Sequence, residues 1–345
     1  MPVVQARIQE SRSRRVLILL DRLSSSTSIV AGTSILCSKS KEISMQAFVE
    51  NVKNTIVDTI RGTGEIVNAV TETVSGSLTT AVRSTGSVGR ALTDTVAAVS
   101  SGVIQGTTQV GGDLGKATKG TVIGVLKGTK ETGGEAIDAV GATVQTLVRT
   151  TADVGGDVGS TARQAMEGAI EGAGRVGVKS ADAIGAAAAG AMQAIGGLGT
   201  ATAGTTTRVA RELIKGASNI GGDLGSVARG AVVGILRTTK DVGGQSTETV
   251  AATAQSVVRA SADVGGNIAA TARAAVEGAI EGAKEIGVDA AEAASAAATG
   301  AINAAGDISN AALDQVQRAV TGVIAGVKVV AKSPFVKPPS QVGRT

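Results

Sequence analysis

The sequence has no histidine, tryptophan or tyrosine, two phenylalanines, one cysteine and four prolines. Without histidine the commonest general base is missing. A lone thiol, Cys37, excludes an internal disulfide framework and a cysteine-based zinc site. Globular cores of this length normally bury many aromatic rings, because each removes a large apolar area from water. Here the apolar fraction of 43% is mostly Ala, Val, Ile and Leu, and 48 glycines accompany it. Such small side chains predict thin, close-packed interfaces rather than a thick core. Long hydrophobic runs are absent too. Val16-Leu17-Ile18-Leu19-Leu20 is too short for a signal-peptide core; charges interrupt nearly every later row, and the longest weakly polar stretch, Ala183 to Arg208, is Ala/Gly/Thr-rich and not hydrophobic enough for the roughly 20 apolar residues of a membrane span.

The net charge of +4 belongs to the ends of the chain. Residues 1–44 carry seven Lys or Arg against three acids, and 328–345 carry four and none. The stretch 45–327 is left with 22 basic and 26 acidic residues. A nucleic-acid-binding body should show a basic stripe, so no nucleic-acid partner is expected. A mean hydropathy of +0.23 is also too high for a disordered chain held open by charge.

What the sequence has is period. From Met45 to Ala331 it aligns in rows of eleven, with polar residues recurring at Arg83, Asp94, Gln105, Lys116, Lys127, Asp138 and Arg149. Alternate rows differ. One type ends in a bulky pair (Val103-Ile104, Val125-Leu126, Leu147-Val148, Ile235-Leu236, Val257-Val258). The other carries a Gly-Gly step (Gly111-Gly112, Gly133-Gly134, Gly155-Gly156, Gly221-Gly222, Gly243-Gly244, Gly265-Gly266), so the true unit is a pair of rows. A duplication at an offset of ten rows lies above this: Val110-Gly111-Gly112-Asp113-Leu114-Gly115 returns as Ile220-Gly221-Gly222-Asp223-Leu224-Gly225. The duplicated halves cover about 101–210 and 211–320.

Eleven residues over three turns give about 3.67 per turn, close to the α-helical 3.6, and an apolar stripe of that period favours a right-handed supercoil. No proline lies between Pro2 and Pro334. The expected fold is all-α: long amphipathic helices over 45–331, as a right-handed coiled-coil rod or an extended bundle, with the Gly-Gly rows as bends. Residues 1–44 are expected to be an unstructured basic leader or an over-extended start, and 332–345 a disordered, Pro-containing basic tail. Each helical glycine costs about 1 kcal/mol relative to alanine and so needs a compensating role. Glycines spaced by four supply one, since they form a ridge that admits a neighbouring helix. The candidates are Gly102 and Gly106; Gly111 and Gly115; Gly120, Gly124 and Gly128; Gly168 and Gly172; Gly230 and Gly234; Gly278 and Gly282; and Gly322 and Gly326. Buried Thr hydroxyls are expected to bond carbonyls four residues earlier.

The eleven-residue period over 45–331 resembles that of hendecad coiled-coil proteins. It is also similar to late-embryogenesis-abundant proteins, perilipin- and synuclein-type lipid-surface proteins, and alanine-rich helical antifreeze proteins; Thr107, Thr118 and Thr129, eleven apart, carry the last likeness. Gly-Gly-Asp-Leu-Gly lacks the Lys-Ser/Thr of a phosphate loop, and the acids are spread along the repeat rather than paired. No catalytic, cofactor-binding or metal-binding residue is expected, nor a small-molecule substrate. The expected function is that of a non-enzymatic structural protein, self-associating as a homo-oligomeric scaffold or filament. Its seam would be Val103, Ile104, Val110, Leu114, Val125, Leu126, Leu147, Val148, Val154, Val158, Ile220, Leu224, Ile235, Leu236, Val257 and Val258. An amphipathic coat on a membrane, lipid or polymer surface is the competing expectation, and ice binding a remote one.

Overall fold

The computed structural model describes residues 46–61, 65–85, 89–133, 135–198, 203–242 and 246–331. The leader and Cys37, the tail beyond Ala331, Gly134 and the Gly243-Gly244 step lie outside the described residues. Two compact units divide the chain, 1–50 and 51–345. Residues 46–50 of the first are helical; the second holds the repeats. Its elements are α1 (51–61), α2 (Ile66–Thr85), α3 (Gly89–Gln109), α4 (Leu114–Thr132), α5 (Ala136–Asp153), α6 (Val158–Val176), α7 (Ser180–Gly197), α8 (Ala203–Asn219), α9 (Leu224–Val242), α10 (Ser246–Asp263), α11 (Ile268–Ile286), α12 (Ala290–Ile308), α13 (Asn310–Val320), β1 (Gly322–Ile324) and β2 (Val327–Val329).

The fold is helical, but there is no long rod. From α2 to α12 the helices run 17 to 21 residues and then reverse. Left-handed glycines account for seven of the breaks; α12 ends instead at Ser309, which is extended. Gly111, Gly133, Gly155, Gly177, Gly221, Gly265 and Gly287 all have φ between 65° and 77°, and successive ones stand two or four rows apart. A residue with a Cβ pays for that conformation, whereas glycine adopts it freely. The Gly-Gly-Asp motif is thereby explained in full. Gly111 N–H donates to Thr108 O at 3.1 Å and Gly112 N–H to Thr107 O at 2.9 Å, closing α3 in a Schellman turn. Asp113 then caps α4, its Oδ1 accepting from Gly115 N at 2.9 Å and Lys116 N at 3.1 Å. Asp113→Ala is expected to lose about 1 kcal/mol in urea unfolding. Glu135→Ala should lose less, because Glu135 makes no side-chain cap bond to α5.

Successive helices alternate between two layers. From α2 to α11 each packs most extensively on a helix two places away, so α2, α4, α6, α8, α10 and α12 form one layer and α3, α5, α7, α9, α11 and α13 the other. Neighbours within a layer run parallel: along α4, Gly120 lies over Val67, Gly124 over Thr71 and Gly128 over Ser75. The apolar core lies between the layers, built from Ala, Val, Ile and Leu with Met166 and Met192 among its large members. Several core threonines turn their hydroxyls back on the helix, as from Thr121 to Ala117 O and from Thr253 to Thr249 O, both 2.8 Å, whereas the buried Thr118 and Thr129 hydroxyls have no partner. Thr151 and Thr161 meet across one turn at 3.3 Å, and Ser261 and Thr271 across another at 2.9 Å. In the corresponding place after α3, Ala117 stands instead of a hydroxyl residue, and the buried Thr107 Oγ1 has no partner.

The helical repeat stops short of residue 331. Gly322 and Gly326 do not form a helical ridge. With φ of 102° and 80°, they sit in an antiparallel hairpin that pairs Gly322 with Val329 and Ile324 with Val327.

Candidate functional site

Most residues expected to form a seam between chains are instead covered within this one. Val103, Ile104, Val125, Leu126, Leu147, Val148, Val158, Ile235, Leu236, Val257 and Val258 are buried. Val110, Leu114 and Leu224 are half-buried. Val154 and Ile220 are 40% and 43% exposed. They are the residues just before a left-handed glycine, where the helix has already ended and the side chain leaves the apolar stripe. A double change of Val125 and Leu126 to Asp would therefore attack the fold rather than association between chains.

The close-packing glycines divide in the same way. Gly111 is a turn residue with nothing within 4 Å of a Cβ placed on it, so it forms no ridge. Gly102 is buried in α3, and a Cβ on Gly115 would lie 2.9 Å from the Gln164 side chain. The remainder face the helix two places earlier. A Cβ on Gly120 would lie 2.7 Å from Val67 O, one on Gly124 2.7 Å from Thr71 O, and one on Gly128 3.0 Å from the Leu78 side chain. Gly106 and Gly168 would be 2.8 Å from the carbonyls of Lys53 and Lys119, and Gly278 2.5 Å from that of Arg229. Gly172 and Gly282 meet Leu126 and Leu236, and Gly230 and Gly234 press on the backbone of Gly185 and Ala189. Gly190, Gly216 and Gly300 make the same approach, to Gly141, Arg163 and Ala251. They have no glycine four positions away, so ridge spacing does not reveal them; the four-row interval from Gly190 to Gly234 is the signal that could have.

Charged residues run beside these contacts. Lys119 pairs with Glu171 at 2.7 Å, Arg229 with Glu277 at 2.5 Å and Arg237 with Glu285 at 2.9 Å, each joining helices two apart. The Lys119 ammonium, bonded to Glu171, lowers that carboxyl's pKa, with Arg175 adding to the effect. Glu72 accepts from Lys127 at 2.9 and 3.1 Å and raises the lysine's pKa. Such exposed pairs contribute about 0–1 kcal/mol each, so they select register more than they stabilise.

A cleft of about 500 Å³ opens on the layer of α5, α7 and α9. Small residues of α7, Gly185, Ala186, Ala189 and Gly190, line it together with the polar side chains of Asp138, Gln145, Gln193 and Arg237. Ser226 also lines it and donates to Asp223 Oδ2 at 2.7 Å. Burial pushes the Asp223 carboxyl up, but bonds from Ser226 Oγ and the amides of Gly225 and Ser226 outweigh it and leave the pKa lowered. A carboxylate held in its ionised form this way is a weak base, and its task is to cap α9.

Among the described residues no group of three acidic, His or Cys side chains is placed to hold a metal ion. No helix among them is long and apolar enough to cross a membrane. No protein-family model matches the sequence, and no curated protein matches it.

Proposed function

We propose that the chain is a non-enzymatic structural protein that self-associates by extending its own helical layers. The carrying observation is the open end of a contact that recurs throughout the layers. Gly120, Gly168 and Gly216 each bring a helix onto the backbone two helices earlier. Gly76 stands four rows before Gly120, on α2, the first of the described helices in its layer, and is exposed with nothing within 4 Å of its Cβ position. A second copy placed there would continue the layer by the chemistry that builds it: small side chains, carbonyls in close approach and flanking ion pairs. This contact is head-to-tail and generates a filament or ring rather than a closed two-fold dimer.

The test is sedimentation across a concentration series. The full chain should form larger species as concentration rises, and Gly76→Arg should remain the smallest species with unchanged helicity. Identical behaviour of the two proteins would overturn the reading. A coat on a lipid surface would instead require the layers to part and expose their apolar faces; flotation with anionic vesicles, accompanied by altered helicity, would favour that function.

A further inference from the structure

We propose that residues 321–331 are a two-state segment whose hairpin form closes the last helical layer and whose helical form opens it to a second copy of the chain. The first observation is register. α13 has 11 residues where α11, its neighbour in the layer, has 19. Moved on by four rows, Gly278 and Gly282 of α11 fall on Gly322 and Gly326. The buried α11 positions Val276, Ala279, Ile280 and Ala283 fall on Val320, Val323, Ile324 and Val327, all apolar. The helix pattern therefore continues through a segment that is folded as a hairpin.

The second observation is that the hairpin satisfies this segment poorly. Val323 is 74% exposed and Val330 64%, more than the other exposed large hydrophobic residues of the described chain. Ala325 has φ 48°, the one described non-glycine residue with positive φ, at the two-residue turn where Asn is favoured. Extended as a helix, α13 would lay Gly322 against α11 as Gly278 lies against α9, and Val323 would take the buried place of Ala279.

The third observation concerns what the hairpin covers. β2 packs on α12, and Val330 N–H donates to Ser295 Oγ at 3.4 Å. Ser295 lies ten rows after Gly185, the residue of α7 on which Gly230 of α9 sits. The hairpin thus occupies the place of the next helix in the α12 layer. Converting it to helix would uncover that face for the α2 helix of another chain, presenting Gly76. This last step rests on the self-association proposed above.

Two variants of the full chain separate the states. Gly326→Ala removes the residue that tolerates positive φ and favours helix; in the helical state its methyl would take contacts like those of a Cβ at Gly282, 2.9 Å from Leu236 Cδ1, 3.2 Å from Leu236 Cβ and 3.3 Å from Val233 Cα, looser than the 2.5 Å approach to the Arg229 carbonyl at Gly278. Ala325→Asn locks the turn. With 13C-valine labelling, the Cα resonances of Val323 and Val327 should move from the strand to the helix range in Gly326→Ala. They should stay in the strand range in Ala325→Asn. Sedimentation should show larger species for Gly326→Ala at concentrations where Ala325→Asn remains small. Helical shifts without larger species would uphold the switch and overturn the self-association reading. Strand or coil shifts in Gly326→Ala would overturn the switch, whatever the assembly state.

Discussion

Replacing Leu126 with Asp is expected to destabilise the array by about 5 kcal/mol or more. Leu126 is fully buried on α4, and its Cδ1 lies 2.6 Å from the Cβ position of Gly172 on α6. Removing such a leucine leaves a cavity worth about 2–5 kcal/mol, and a carboxyl in its place must be desolvated or protonated at further cost. The damage should be regional. Contacts reach chiefly to helices one and two places away, so hydrogen exchange should accelerate first over α2 to α6 and last in α11 and α12. The adjacent Lys127→Ala breaks only an exposed pair with Glu72 and should change stability by less than about 1 kcal/mol. Uniform acceleration along the whole chain in the Leu126 variant would contradict the nearest-neighbour organisation.

Glycine-to-alanine changes are expected to split in sign according to what faces the new methyl. At Gly174, on the exposed side of α6, nothing lies within 4 Å, so Gly174→Ala should stabilise by about 1 kcal/mol through helix propensity alone. At Gly124 the methyl would stand 2.7 Å from Thr71 O and 2.8 Å from Val74 Cβ, with neither able to swing away. Overpacking of that kind costs about 1–3 kcal/mol, which offsets or exceeds the gain, and Gly124→Val should lose about 3 kcal/mol or more. Urea midpoints of the three variants test this directly. Equal stabilisation by alanine at both positions would mean that the layers can separate without loss, and the close approach would then have no energetic role.

Much of this was legible in the residues. Absence of proline, an eleven-residue apolar stripe and Gly-Gly steps recurring every two or six rows determine helices with bends, and the lack of histidine narrows the available chemistry. These are local properties. Helix propensity, capping and the left-handed preference of glycine act within a few residues and need no partner to be stated. What local pattern cannot distinguish is the owner of the opposing surface. A stripe of Val, Leu and Gly suits a helix of another chain or one four rows further along equally well, because both present the same side chains. Only the tertiary structure decided that Leu126 is covered from within the chain, that Val154 and Ile220 fall outside the stripe, and that Gly322 and Gly326 form a hairpin despite their helical register. The reason is that a chain reversing after every pair of rows holds its own next helix at high effective concentration, whereas among the described residues the last helix is followed by the short hairpin rather than by another helix.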